Sequence, residues 1–229
     1  MLRFFKKTTI LLLIICFVSF LFSAYKQKDV AVCTNADEAA FGYNAYSLLI
    51  TGKDEYGTTL PLRLKSFGDN KLPLYSYLSV PFVAMFGLND MGIKGLNLLI
   101  SFLLPLSVYF LTKELLGKKS YGLIAALLTA TSLSTHITAR QAHESVLSLV
   151  MSISMFIFYL RAMRTFKRKD IILFILATAL SLLSYHPARL LVLFLGISHA
   201  ITFLIAPKLE RKKILLLGGI MIATVALLL

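Results

Sequence analysis

Residues 33–52 read CTNADEAAFGYNAYSLLITG, directly after an uncharged run of membrane-span length at 8–24. Asp37 and Glu38 stand side by side at the mouth of that span. Asn35 is a good helix N-cap, and Glu38 falls at the third helical position, the spacing of a capping box. Gly52 supplies a stop. Phe41, Ala45, Leu48 and Leu49 recur at helical spacing, so one face is apolar. The pattern predicts an amphipathic helix over 36–51, lying along the outer membrane surface. The two acids have a plain explanation, because the first turn of a helix favours negative charge. Their companions elsewhere in the chain suggest a second one.

The surrounding sequence is greasy. Of 229 residues, 58% are hydrophobic and 15% charged, against about a quarter charged in an ordinary soluble domain. The excess collects in charge-free runs at 8–24, 95–111, 145–160, 171–185, 190–206 and 214–229. A seventh, 121–136, turns polar towards its end. A helix crosses a ~30 Å hydrocarbon layer with roughly 17–25 residues. The expected fold class is an all-α polytopic membrane protein: a single transmembrane domain over 1–229 with seven spans and a long extracytoplasmic loop, 25–94.

The charge distribution orients these spans. The net charge is +13, but the basic residues cluster in short loops instead of forming a stripe with interleaved aromatics, which excludes nucleic acid as a partner. The run 72–88, LPLYSYLSVPFVAMFGL, is long enough to span and contains Pro73 and Pro81. If it does not cross, the basic clusters at the N-terminus, 113–119, 161–169 and 208–213 all face the cytoplasm, and the opposite short loops carry only Arg140 and Arg189. If it crosses, the last three clusters face outward, against the positive-inside bias. The run therefore reads as an interfacial or re-entrant element. The N-terminus is cytoplasmic and the protein multi-pass in the cell (plasma) membrane. Arg3, Lys6 and Lys7 before the first run resemble a signal peptide, but Phe22 and Ala24 make a poor cleavage site, so an uncleaved anchor is expected. Cys16 lies in the first span and Cys33 after it, which implies no disulfide framework.

Three outward segments then share polar residues on one side of the bilayer: Asp37, Glu38 and Lys71; Arg140, His143 and Glu144; Tyr185, His186 and Arg189. Carboxylates can deprotonate a hydroxyl or hold a metal. Lys and Arg can hold a phosphate. The set suits an amphiphilic phosphate with its tail in the membrane. Each member also has a simpler reading: Arg140 and Arg189 as interface anchors, Glu144 as a helix cap, Lys71 as a snorkelling side chain. The outward histidines have no metal-ligand spacing. His199, within a span, reads as a packed interior residue.

The order of these features resembles the GT-C membrane glycosyltransferases, in particular glycosyltransferase family 39, which includes protein O-mannosyltransferases and aminoarabinose transferases. The resemblance rests on Asp37-Glu38 after a signal anchor and on Lys71-Leu72-Pro73-Leu74-Tyr75, where the family has a second proline. Phe86-Gly87-Leu88-Asn89-Asp90, Leu116-Gly117-Lys118-Lys119, the Arg140-x-Ala142-x-Glu144 element, and Tyr185 with Arg189 complete it. The set covers nearly the whole chain. Family members are longer, so the sequence reads as an N-terminal portion.

The resemblance implies transfer of a sugar from a polyprenyl-phosphate-linked donor to a hydroxyl acceptor on protein, lipid or glycan, outside the membrane and with inversion. It makes Asp37 the catalytic base and Lys71 and Arg189 the phosphate ligands, with Arg140 assisting. Glu38, Glu144 and Tyr185 would shape the site. A divalent metal ion is left open. The alternative is a non-catalytic polytopic protein, or a partner-dependent subunit, that grips an anionic or polyprenyl lipid with the same cations.

Overall fold

The computed structural model of the chain describes residues 2–27, 34–66 and 69–228. Cys33 lies outside them, whereas Cys16 is a buried free thiol in the first helix. Contacts gather the chain into two compact units, Met1–Val150 and Met151–Leu229.

The first unit opens with α1 (Leu2–Ala24), α2 (Ala36–Thr51) and a short antiparallel hairpin, β1 (Leu64–Ser66) and β2 (Asp69–Lys71). Then come α3 (Leu74–Phe86), α4 (Asp90–Leu116), α5 (Lys119–Ala130), α6 (Leu133–Ala139) and the start of α7 (Glu144–Thr165). Leu12, Ile15 and Cys16 of α1 pack with Tyr109 of α4 and with Ala126 and Ala130 of α5.

The α2 helix has the predicted bounds and cap. Asn35 Oδ1 accepts from the Glu38 backbone N–H at 2.8 Å, and Glu38 Oε2 accepts from the Asn35 N–H at 2.9 Å. Gly52 closes the helix at φ +68°. Phe41, Ala45 and Leu48 are buried, and α2 packs on α3 and α4. Leu49 departs from its expected place: it is exposed, with Tyr43, Tyr46 and Ile50. The apolar stripe predicted for the membrane surface is narrower and is covered by protein.

The α3 helix has 13 residues, about 20 Å at 1.5 Å per residue, too short to cross the hydrocarbon layer. This agrees with the charge argument for 72–88. The chain turns from α3 into α4 through Gly87 at φ +79°. Asn89 Oδ1 caps α4 by accepting from the N–H groups of Met91 and Gly92 at 3.0 and 3.1 Å. A Cβ on Gly92 would stand 2.0 Å from the Gly87 carbonyl oxygen, so the turn requires glycine there.

The expected span at 121–136 is two helices, α5 and α6, bent by 59°. Thr131 Oγ1 donates back to the Leu127 carbonyl at 3.0 Å, and His136 Nε2 bonds the Ala130 carbonyl at 2.8 Å. Such side-chain bonds compete with the helical ladder and fix a break.

The second unit holds the rest of α7 with α8 (Arg168–Leu182), α9 (Ala188–Ile205) and α10 (Lys208–Leu228). Its core joins Met155, Tyr159, Phe174, Leu195, Leu217 and Met221. His199 is the packed interior residue expected: Tyr159 Oη lies 3.0 Å from its Nδ1, and its Nε2 bonds the Ile214 carbonyl at 2.8 Å.

Each of the seven expected runs lies largely in helix, with 121–136 broken between α5 and α6 and 171–185 passing the end of α8 at Leu182. Among the described residues, α1 from Lys7, α4, α7 and α9 are long and apolar enough to cross a membrane, and the bent pair makes a fifth crossing if it is one span. The α8 helix, with 15 residues, is short, and α10 carries Arg211, Lys212 and Lys213 near its start. The protein is a multi-pass membrane protein.

Candidate active site

The capping box turns the two neighbouring acids in different directions. Successive helix positions are rotated by about 100°, so when Glu38 points inward Asp37 cannot. The Glu38 side chain is 3% exposed and that of Asp37 55%. Glu38 Oε1 accepts from the backbone N–H of Ala142 at 2.7 Å. Its other oxygen carries the Asn35 bond. Glu38 therefore seals α2 against the segment that precedes α7, and both its oxygens are engaged by backbone.

Asp37 is paired with Lys71, whose ammonium donates to its Oδ1. Lys71 comes off the end of β2 and lies 4.4 Å from the centroid of the Phe41 ring, which in turn packs on Tyr75 at 4.8 Å. The lysine is 12% exposed. The hairpin, which the sequence did not announce, delivers this side chain to the acid. The result is a carboxylate open to the surroundings with a cation fixed beside it.

Behind this pair lies Lys94 of α4, which sequence reasoning missed. Its side chain is 1% exposed, with Nζ 4.0 Å from Glu38 Oε2 and 3.8 Å from Asp90 Oδ2. The available signal was the Asp90–Lys94 spacing of four, on one helix face, at the edge of an uncharged run. Asn97, one turn on, donates from Nδ2 to the carbonyl of His143 at 3.1 Å and to that of Gln141. It holds the same segment that Glu38 holds.

Arg140 is engaged by backbone carbonyls. It donates from Nη2 to the carbonyls of Phe22 and Tyr25 at 3.0 and 2.9 Å and from Nε to that of Ser23 at 3.3 Å. It thus caps the end of α1. Glu144 sits in the first turn of α7, 3.8 Å from His143 Nδ1. Burial pushes the Tyr75 hydroxyl well above its ordinary range, and the charges of Glu38 and Glu144 push it further. Tyr75, Glu38 and Glu144 therefore share one electrostatic neighbourhood.

Tyr185 and Arg189 belong to the second unit. There α9 and α10 enclose an apolar groove of about 760 Å³, lined among others by Arg189, Val192, Gly196, Phe203, Gly219 and Ile222. The Arg189 Nε is buried and has no hydrogen-bond partner among the described residues. A buried guanidinium nitrogen without a hydrogen-bond partner, beside a greasy groove, suits an anionic head on an apolar tail. No three His, Cys, Asp or Glu side chains converge among the described residues to hold a metal ion, so no step is derived through one.

Residues 70–229 match the family described as dolichyl-phosphate-mannose-protein mannosyltransferase. The chain belongs to this family. It is a membrane glycosyltransferase of the GT-C type. No curated protein matches the chain. The matched stretch of the mannosyltransferase family includes Lys71, Lys94, Arg140, Glu144, Tyr185 and Arg189. The helix with Asp37 and Glu38 precedes the matched stretch.

Proposed function

We propose that the protein transfers a sugar from a polyprenyl-phosphate donor to a hydroxyl acceptor at the extracytoplasmic face of the plasma membrane, with inversion. The observation that carries this reading is the open Asp37 carboxylate with the Lys71 ammonium held on it. Asp37 takes the proton from the acceptor hydroxyl. The acceptor oxygen forms its bond to the anomeric carbon as the carbon–oxygen bond to phosphate breaks, and polyprenyl phosphate leaves as an anion. Lys71 puts positive charge near the charge that develops. Within the second unit, Arg189 is a candidate phosphate ligand, and the apolar groove beside it suits an isoprenoid tail. The cytoplasmic N-terminus rests on the placement of the basic clusters.

Asp37→Asn is nearly isosteric and removes the base. With the full chain and radiolabelled polyprenyl-phosphate-mannose as probe, turnover should fall by ~10²-fold or more. Wild-type turnover in that variant would sink Asp37 as the base, whereas donor binding without turnover by the wild-type chain would favour the second reading, a non-catalytic lipid-binding subunit. The groove at Arg189 supports that reading equally well.

A further inference from the structure

Lys94 is a buried cation that the transfer reaction, as set out above, does not use. Three stretches of chain meet at its ammonium. Glu38 comes from the first turn of α2 and Asp90 from the first turn of α4, while Ala142 joins through its bond to Glu38. Asp90 is tied in turn to the approach to α2, because Thr34 Oγ1 donates to its Oδ1 at 3.1 Å. No hydrogen bond is made by Lys94 Nζ among the described residues. It interacts with both carboxylates through charge, at 3.8 and 4.0 Å.

A buried ion pair is a poor source of stability, since well-packed apolar residues often do as well, yet removing one partner leaves an uncompensated charge. A lysine kept at this place is better understood through what it orients. Glu38 and Asp37 are adjacent on one helix, so the depth and direction of the first fix the direction of the second. Without the Lys94 charge, the Glu38 carboxylate gains by turning towards water, and that motion rotates the first turn of α2 and swings Asp37 away from Lys71.

We propose that Lys94 is a positioning residue for the glycosyl transfer: by holding the Glu38 carboxylate inside, it sets the orientation of Asp37. The inference rests on the reading of Asp37 as the base.

The test uses the full chain, with polyprenyl-phosphate-mannose as probe. Lys94→Met keeps the stem and removes the charge. The expected result is a fall in kcat on the order of 10²-fold, the scale of an ångström misplacement of a reacting group, with donor KM unchanged within about twofold. Lys94→Arg restores the cation and should recover most of that loss. Glu38→Gln combined with Lys94→Met should lose no more than Lys94→Met alone, because the charge needing compensation is gone. Wild-type kcat in Lys94→Met, a rise in donor KM at constant kcat, or fully additive losses in the double variant would each overturn the proposal. Should Lys94→Met fail to fold, Lys94→Gln takes its place, with amide hydrogen exchange read at Glu38 and Ala142. Faster exchange at both is expected, and unchanged exchange at Ala142 overturns the idea. Asp37→Asn is run in parallel. If that variant is active, the base assignment fails whatever Lys94 does. If it is inactive while Lys94→Met is normal, only the positioning role fails.

Discussion

The Glu38 carboxylate accepts a hydrogen bond from the Ala142 backbone N–H at 2.7 Å across 104 residues of chain. This bond joins α2 to the segment leading into α7. It also separates the roles of two adjacent acids. Asp37 stays exposed, while Glu38 is buried and bonded by backbone on both oxygens.

Replacing Glu38 with Gln should therefore be read first as a stability experiment. An amide oxygen can accept from the Asn35 N–H or the Ala142 N–H, and the amide NH2 then opposes the other donor. A buried donor left unsatisfied costs about 1–3 kcal/mol. Asn35→Ala removes one side of the capping box and should cost about 1 kcal/mol. Thermal unfolding in detergent checks both, with Glu38→Gln expected to give the larger drop in Tm. Equal drops would mean that the Ala142 bond adds nothing.

Arg140 gives a prediction that runs against its first reading. Its three bonds to the Phe22, Ser23 and Tyr25 carbonyls make it the cap of a transmembrane helix. Arg140→Ala should lower thermal stability by about 1–3 kcal/mol, the cost of leaving such groups unpaired, and leave the donor KM of the folded fraction unchanged. A higher donor KM at unaltered stability would return the residue to the phosphate.

What could be read from the sequence divides along physical lines. The capping box and the Gly52 stop depend on local spacing, and the structure has both; the 72–88 run, read as interfacial from charge placement, holds a helix of 13 residues. The direction of Arg140, the burial of Lys94 and the path of the hairpin carrying Lys71 depend on contacts between residues far apart in the chain. No local periodicity encodes those. The bend between α5 and α6 lies between these cases: Thr131 and His136 were visible, but only their bonds to carbonyls turn a polar stretch into a break.

The turn between α3 and α4 offers a steric test. Gly92→Ala would place a methyl group 2.0 Å from the Gly87 carbonyl oxygen. Backbone cannot yield as a flexible side chain can, so overpacking should cost about 1–3 kcal/mol. Gly219→Ala is the control, since nothing lies within 4 Å of its added Cβ and alanine is the better helix former by up to about 1 kcal/mol. Chemical or thermal unfolding should show the first variant destabilised and the second unchanged or improved. Two equal losses would remove close packing at Gly92 as the cause.

Gly219 also allows the groove to be tested without touching a charge. It lines the groove and has open space at its Cβ position, so Gly219→Leu fills volume there with little disturbance to the helix. If the groove holds the isoprenoid tail, KM should rise markedly for a long-chain polyprenyl-phosphate-mannose and little for a short-chain analogue, because only the long tail needs the filled volume. Arg189→Leu should raise KM for both, because both carry the phosphate. The two variants thus separate tail from head. A Gly219→Leu enzyme that handles both donors as the wild type does would place the tail elsewhere, and an Arg189→Leu enzyme with unchanged KM would remove the phosphate from this end of α9.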